Sequence, residues 1–180
     1  MPISQKWKKT GSRPLASYRI FDIREDRYLL PRNGQEAPFY VLESPDWVNV
    51  IPLTEKEEVV LIRQFRFGLN ETTVEIPGGI VDTGLTPLEA GRKELLEETG
   101  YASDHWEYLG FVHPNPAFLN NRCHTFLARN ARKTAETALE ESEEIEVVLF
   151  PFREVKDLIR GGFIRHSLVI CAFYWLELKE

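Results

Sequence analysis

The sequence predicts an α/β protein preceded by a small N-terminal antiparallel β-domain. Three observations support this: short apolar runs separated by turn signals, a helix with clear termini at residues 87–99, and a change of pattern near residue 45. The 180 residues suffice for one ordinary domain with a small appendage. We therefore divide the chain into residues 1–45, the β-domain, and residues 46–180, the main domain.

The β-domain contains three strand candidates, which are short runs of aromatic and aliphatic residues. They are Ser17–Asp22, Arg27–Leu30 and Phe39–Glu43. So small a sheet cannot bury its own aromatic side chains, and we expect it to lean on the remainder of the chain or on a second subunit.

The main domain alternates strands with three helices. The strands predicted from apolar runs are Val48–Leu53, Val59–Phe65, Thr73–Ile76, Trp106–Val112, His124–Ala128 and Glu146–Phe150. Thr86 and Glu89 form a capping box and Gly100 is a left-handed C-cap, which predicts a helix over Pro87–Thr99. The other helices are Val155–Arg160 and an apolar helix that Ser167 caps and that runs to about Leu178.

The composition excludes several classes of protein. The chain has 28 acidic and 22 basic residues, a net charge of −6, and no basic block, which argues against nucleic-acid binding. No apolar run approaches the ~18 residues of a membrane span, and no apolar stretch follows the basic start as in a secretory signal. The cysteines and histidines show no metal-binding spacing, and these features together indicate a cytoplasmic protein.

Three glutamates of the helix at residues 87–99 break two local rules. At about 100° per residue, Glu94, Glu97 and Glu98 fall on one arc, away from the apolar stripe. Glu94 and Glu98 are like charges four residues apart, near the helix end where the dipole disfavours anions. Such conflicts are typical of functional sites, and oxygen-rich clusters suit Mg²⁺. The helix by itself also allows a solvated charged face.

The segment that contains these glutamates adds a second signal. Pro77 and two glycines precede the helix, and the missing side chains let the backbone approach a ligand. Residues 78–101 resemble the signature of the Nudix hydrolases, Gly-x5-Glu-x7-Arg-Glu-(apolar)-x-Glu-Glu-x-Gly-(apolar). The matching residues are Gly79, Glu94, Leu95, Glu97, Glu98, Gly100 and Tyr101. This resemblance implies an α/β/α sandwich with a mixed sheet.

Two positions depart from the signature. Leu85 stands where the family has its first Glu, which lies outside the main metal cluster there. Lys93 stands where the family has an Arg that orients a helix carboxylate; it keeps the charge and loses the bidentate fork.

The preceding strands narrow the resemblance to one subgroup. The pattern Gln64-Phe65-Arg66 followed by Glu75-Ile76-Pro77-Gly78-Gly79 looks like the ADP-ribose and nucleoside diphosphate sugar pyrophosphatases. The subgroup implies Mg²⁺-dependent hydrolysis of a nucleotide sugar to a nucleoside monophosphate and a sugar phosphate. It also implies a homodimer to which the β-domain contributes, with that domain forming a wall of the substrate site.

The resemblance assigns roles to particular residues. Mg²⁺, or Mn²⁺ in its place, is expected on the Gly78 carbonyl, Glu94, Glu97 and Glu98. In the acidic loop before the last strand, Glu141 is expected to be the general base and Glu143 a further metal ligand or an alternative base; otherwise Glu97 is the first candidate base. Substrate contacts are expected from Trp47, Arg66, Glu75 and Asn121.

Ordinary structural roles also fit several of these residues. Trp47 also fits a core or dimer position, Arg66 a strand-surface charge, and the acidic loop a solvated segment. Two other functions remain open: hydrolysis of dinucleoside polyphosphates, and a non-catalytic ADP-ribose sensor, which the departures at Leu85 and Lys93 favour.

Overall fold

A computed structural model describes residues 6–139, 141 and 143–179. The chain forms two compact units. The first comprises the residues up to Pro45 together with His113–Arg122, and the second comprises Asp46–Val112 and the residues from Cys123 onward. The sequence did not predict that His113–Arg122 joins the first unit, because local patterns do not reveal long-range pairing.

The first unit is built on a three-stranded antiparallel sheet of β1 (Lys8–Ser17), β2 (Asp22–Leu29) and β3 (Glu36–Glu43), in the order β1-β2-β3. The Leu42 amide donates to the Phe118 carbonyl oxygen at 2.8 Å, which attaches the later segment to β3. The predicted strand Ser17–Asp22 is wrong. Its ends belong to two strands, and the Tyr18 amide donates to the Phe21 carbonyl at 3.0 Å in the turn between them.

Charged side chains replace an apolar core in part of this sheet. Asp26 is 1% exposed and pairs with Lys9 and Arg24, and Glu25 is 4% exposed and pairs with Arg13. Cross-strand ion pairs of this kind explain why the polar sequence of β1 forms a strand that an apolar pattern could not predict.

The second unit contains the remaining nine strands of the described chain. They are β4 (Trp47–Pro52), β5 (Glu58–Arg66), β6 (Glu71–Glu75), β7 (Gly78–Ile80), β8 (Tyr101–Ala102), β9 (His105–Val112), β10 (Cys123–Arg129), β11 (Arg132–Lys133) and β12 (Ile145–Pro151). One sheet is mixed, with the order β7-β4-β10-β9 and parallel pairing of β4 with β10. A second sheet, β12-β5-β6, is antiparallel, and β11 pairs with β8. Each of the six predicted strands overlaps one of these.

The helices are α1 (Pro87–Thr99), α2 (Val155–Arg160) and α3 (Ser167–Glu177). The predicted bounds of α1 and α2 are confirmed, and α1 has its capping box and a left-handed C-cap at Gly100, with φ of 73°. The predicted cap of α3 is wrong by one residue. His166 is the N-cap, and its Nδ1 accepts the Leu168 amide at 3.2 Å.

The core lies on both faces of the mixed sheet. Val48 and Val50 of β4 pack against Ala90 and Leu95 of α1. The opposite face of β4 and β10 packs against α3 in the larger cluster, which includes Ile51, Leu127, Val169, Ala172 and Leu176. This arrangement is the predicted α/β/α sandwich, and it fixes which face of α1 turns away from the core. Among the described residues, no helix is long and apolar enough to cross a membrane.

Candidate active site

Two glycines allow β7 to approach α1 and β4. A Cβ on Gly78 would lie 2.2 Å from the Val48 carbonyl oxygen, and a Cβ on Gly79 would lie 2.6 Å from Glu94 Oε1. The Gly78 amide donates to Glu98 Oε2 at 2.9 Å. The glycines therefore let β7 pack directly on β4 and place Glu94 and Glu98 against the backbone of β7. A side chain on Gly79 would displace Glu94, and one on Gly78 would clash with β4.

Glu98 is the more buried of these glutamates, with 3% of its surface exposed. Burial raises the pKa of Glu98 to about 8, and the charges of Glu94 and Glu143 act in the same direction. The hydrogen bond from Gly78 and the charge of Arg66 oppose this shift without cancelling it.

Glu94 lies beside it and is half-buried. Burial raises the pKa of Glu94 to about 7; Lys93 opposes the shift, whereas the charges of Glu97 and Glu143 add to it. Among the described residues, neither Glu94 nor Glu98 forms an ion pair with a lysine or arginine. The two carboxylates thus share a region of negative potential that no side chain neutralises directly.

Lys93, one of the two departures from the signature, does not reach Glu94 or Glu98. Its Nζ donates to Asp82 Oδ2 at 2.8 Å and lies 4.0 Å from Glu97 Oε2. Leu85, the other departure, is 37% exposed. The lysine therefore retains a contact with one helix carboxylate and takes Asp82 as its main partner.

Arg66 and Glu75 form a bidentate pair near the helix glutamates. Arg66 Nε and Nη2 donate to the two Glu75 carboxylate oxygens at 2.8 Å each, and Thr73 Oγ1 donates to Oε1 at 2.6 Å. Burial favours the neutral form of Glu75, yet the hydrogen bonds and charge of Arg66 outweigh it and lower the pKa of Glu75. The hydrogen bonds with Glu75 raise the pKa of Arg66 against the effect of burial, and the charges of Glu75, Glu98 and Glu143 add to this rise.

Of the described residues of the acidic loop, Glu143 acts on this region. Glu143 is half-buried, and its charge acts on Glu94, Glu98 and Arg66. Glu141 is exposed in a turn, and Glu140 and Ser142 lie outside the described residues.

The two remaining predicted contacts, Trp47 and Asn121, belong to different units. Trp47 is half-buried at the start of β4, where it pairs with Ile80 and Cys123. Asn121 belongs to the first unit, is 2% exposed and donates to the Pro45 carbonyl at 3.0 Å. The buried side chain of Asn121 is thus engaged with backbone of its own unit.

The donor chemistry of α1 fits a hard divalent cation. Glu94, Glu97 and Glu98 supply carboxylate oxygens next to the backbone of Gly78, and Mg²⁺ prefers such ligands. Within residues 6–139, 141 and 143–179, no three His, Cys, Asp or Glu side chains converge as a closed metal cluster. The fit therefore rests on the kind of donor and on the uncompensated charge, and not on preformed coordination geometry.

Sequence reasoning missed two polar residues that adjoin this region. His166 Nε2 lies 3.9 Å from Glu75 Oε2, and Asn49 Nδ2 donates to the Leu168 carbonyl at 3.3 Å. A polar residue inside the apolar strand β4 was the available signal for Asn49, and a histidine directly before a helix was the signal for His166.

Comparisons with known proteins cover nearly the whole chain and indicate one family. Residues 44–170 match the family model of the NUDIX domain. The chain is 29% identical to a methanol dehydrogenase activator from Bacillus methanolicus and 28% identical to an ADP-ribose pyrophosphatase from Bacillus subtilis (strain 168). Each alignment spans 174 residues, 96% of this chain and 94% of the relative. A GDP-mannose pyrophosphatase from Cronobacter sakazakii is 30% identical over 177 residues, with 92% of each chain covered.

A solved structure shares the fold. It is described as an ADP compounds hydrolase and superposes with a TM-score of 0.84, over 96% of this chain and 93% of the other. At 19% identity, this likeness shows the fold alone.

Proposed function

Because the chain belongs to the Nudix family and is a Nudix hydrolase, we propose that it hydrolyses the pyrophosphate of a nucleoside diphosphate sugar. The products are a nucleoside monophosphate and a sugar phosphate. The observation that carries this proposal is the pair of glutamates on α1, Glu94 and Glu98, held against β7 with raised pKa values. The names of two relatives, ADP-ribose pyrophosphatase and GDP-mannose pyrophosphatase, support this substrate class.

A divalent cation, Mg²⁺ or Mn²⁺, is required for hydrolysis, because protein and substrate are both anionic and the leaving phosphate gains further negative charge. The net charge of the chain is −6, and the pyrophosphate adds negative charge at a site that is itself acidic. Glu94, Glu97, Glu98 and the Gly78 carbonyl would hold the cation. When bound, it supplies a Lewis acid that offsets the charge of the substrate and of the leaving phosphate.

The general base is a glutamate of the acidic loop, and Glu143 is the better candidate. Its charge on Glu94 and Glu98 supports a position at the site, whereas Glu141 is exposed in a turn. In this role a Glu143 carboxylate oxygen takes a proton from the attacking water.

Arg66 contacts a substrate phosphate, and Glu75 holds Arg66 in place. A guanidinium has five donors, of which Glu75 takes two, so that the others can bind phosphate oxygens. The stacking of Trp47 on the base and a substrate contact of Asn121 stay predictions that rest on the subgroup resemblance alone.

The chain acts as a homodimer in the cytoplasm. Large apolar side chains of the first unit support an interface there, since Tyr18, Ile20 and Tyr40 are each more than half exposed. Light scattering of the full chain at micromolar concentration should give twice the chain mass of 20.9 kDa. A monomer under these conditions would contradict the proposal.

The experiment that tests the function is a substrate panel with ADP-ribose, GDP-mannose, UDP-glucose and diadenosine polyphosphates. We expect Mg²⁺-dependent release of a nucleoside monophosphate from a nucleotide sugar, abolished by EDTA and by Glu98→Gln. Glu144→Gln is the matched control, because Glu144 is an exposed glutamate of the acidic loop.

The same panel separates the alternatives. Preference for diadenosine polyphosphates would replace the proposed substrate class and keep the hydrolase. Tight binding of ADP-ribose without turnover in Mg²⁺ or Mn²⁺ would indicate a sensor and overturn the proposal.

A further inference from the structure

His166 is placed to act on the pair of Arg66 and Glu75. Its Nδ1 accepts the Leu168 amide at 3.2 Å, so in the neutral ring the proton is on Nε2. Nε2 lies 3.9 Å from Glu75 Oε2, on the carboxylate oxygen that also accepts from Arg66 Nη2. The helix cap thus fixes the tautomer and directs an N–H donor toward Glu75.

The start of α3 is anchored on both sides of this histidine. Ile164 is 1% exposed, and Arg165 Nη2 donates to Glu71 Oε2 at 2.7 Å, which holds the preceding segment on β6. Asn49 of β4 donates to the Leu168 carbonyl at 3.3 Å. These contacts keep the ring of His166 near Glu75.

Glu75 depends on its donors for its charge. It is 3% exposed, and burial by itself would favour the neutral carboxyl, yet the hydrogen bonds and charge of Arg66 keep its pKa low. Arg66 is partly exposed, so that it can engage a phosphate. A phosphate bound to Arg66 competes with Glu75 for the guanidinium, and a buried carboxylate that loses a donor is costly.

We propose that His166 is a positioning residue: its Nε2–H closes on Glu75 when Arg66 engages a substrate phosphate, so that Arg66 can turn without leaving Glu75 short of donors. This inference rests on the proposed role of Arg66 in binding the nucleotide sugar. His166 itself touches neither the substrate nor the reacting atoms.

The test separates the proposed contact of His166 with Glu75 from its role as the N-cap of α3. Asn is a good N-cap and its amide is too short to reach Glu75, so His166→Asn keeps the start of α3 and loses the donor. We expect KM for the hydrolysed nucleotide sugar to rise about tenfold with kcat changed less than about twofold. Calorimetric affinity for that sugar in EDTA should fall by the same factor. His105→Asn, at an exposed histidine, is the matched control and should leave both constants unchanged.

A double-mutant cycle with Glu75→Gln shows whether the effect passes through Glu75. A neutral amide needs no second donor, so His166→Asn should change affinity less than about twofold in that background. Wild-type affinity in His166→Asn, or an equal loss in both backgrounds, overturns the inference while leaving the proposed function intact. If the wild type neither hydrolyses nor binds any nucleotide sugar, the proposed function and the inference fail together.

Discussion

Asp26 of the first unit and Glu98 of the second are buried to nearly the same extent, but their pKa values are shifted in opposite directions. They are 1% and 3% exposed. At Asp26, burial favours the neutral form, but hydrogen bonds from Lys9, Ser12 and Arg24 outweigh it and lower the pKa to about 2. At Glu98, burial raises the pKa to about 8 and one backbone hydrogen bond from Gly78 does not reverse it.

The difference lies in the counter-ions and not in the burial. A buried carboxylate that is paired with cationic side chains stabilises the fold, and because its charge is already compensated, it does not attract a further cation. A carboxylate that the protein buries beside other carboxylates costs stability, and a site with this cost is typical of function. Glu75 resembles Asp26 because it has a cationic partner, Arg66, and it resembles Glu98 because it lies in the candidate site. This combination suits Glu75 to hold Arg66 in place for a substrate phosphate.

The largest effect should come from removing a carboxylate of α1 that is proposed to hold the metal. Glu98→Gln and Glu97→Gln each remove a ligand charge with little change of volume, and turnover should fall by orders of magnitude. Circular dichroism should show an unchanged fold. Wild-type turnover in both variants at low Mg²⁺ would refute the assignment of these glutamates to the metal.

The next effect concerns the base. Glu143→Gln should lower kcat about 10²–10⁴-fold with little change in the Mg²⁺ concentration for half-maximal rate. If Glu143 is a metal ligand instead, that concentration rises and added Mg²⁺ restores activity. Glu141→Gln should stay near the wild-type rate; a large loss there and none at Glu143 would transfer the role of base to Glu141.

The pH dependence of metal-free stability should reveal the cost of Glu98. The folded pKa is about 8 against an ordinary 4.5, so the folded chain binds a proton that the unfolded chain releases. In EDTA, the free energy of unfolding should therefore fall as pH rises from about 5 to about 8. Urea unfolding of Glu98→Gln should show a flatter profile and higher stability at the alkaline end; identical profiles would contradict the account.

Asp26 should show the opposite behaviour. Asp26→Asn should lower the free energy of unfolding by about 1–3 kcal/mol, because Lys9 and Arg24 lose their anion. In the wild type, this contribution is present above the ordinary pKa of 3.8 and is lost as pH falls towards 2. Asp104→Asn, at an exposed pair with Arg132, should leave the free energy of unfolding nearly unchanged, because solvent screens an exposed ion pair. Equal stability of Asp26→Asn and the wild type would refute the structural role.

Local signals explain what the sequence predicted well. The cap residues Thr86 and Gly100 fix the bounds of α1, and helical spacing then places Glu94 and Glu98 on one face. The Nudix family and the fold are predicted from residues 78–101 and their neighbours, and both are confirmed. The prediction succeeds because this signature lies within one glycine turn and one helix.

What the sequence did not predict depends on pairing between distant residues. The bidentate contact of Arg66 with Glu75 depends on how β5 and β6 are aligned. In this register Arg66 lies opposite Glu71 and Ile62 lies opposite Glu75, so the contact joins residues that are not directly paired. Ser167, and not His166, is predicted as the cap of α3 because Ser is the more usual N-cap residue. The position of Glu143 relative to α1 requires the path of the acidic loop, which its run of glutamates does not encode.

Mn²⁺ binding, measured by electron paramagnetic resonance on the metal-free chain, tests the comparison most directly. We expect the wild type and Asp26→Asn to bind Mn²⁺ with equal affinity and Glu98→Gln to bind it at least about tenfold more weakly. Equal Mn²⁺ affinity in all three proteins would contradict the claim that the uncompensated carboxylates of α1 form the cation site.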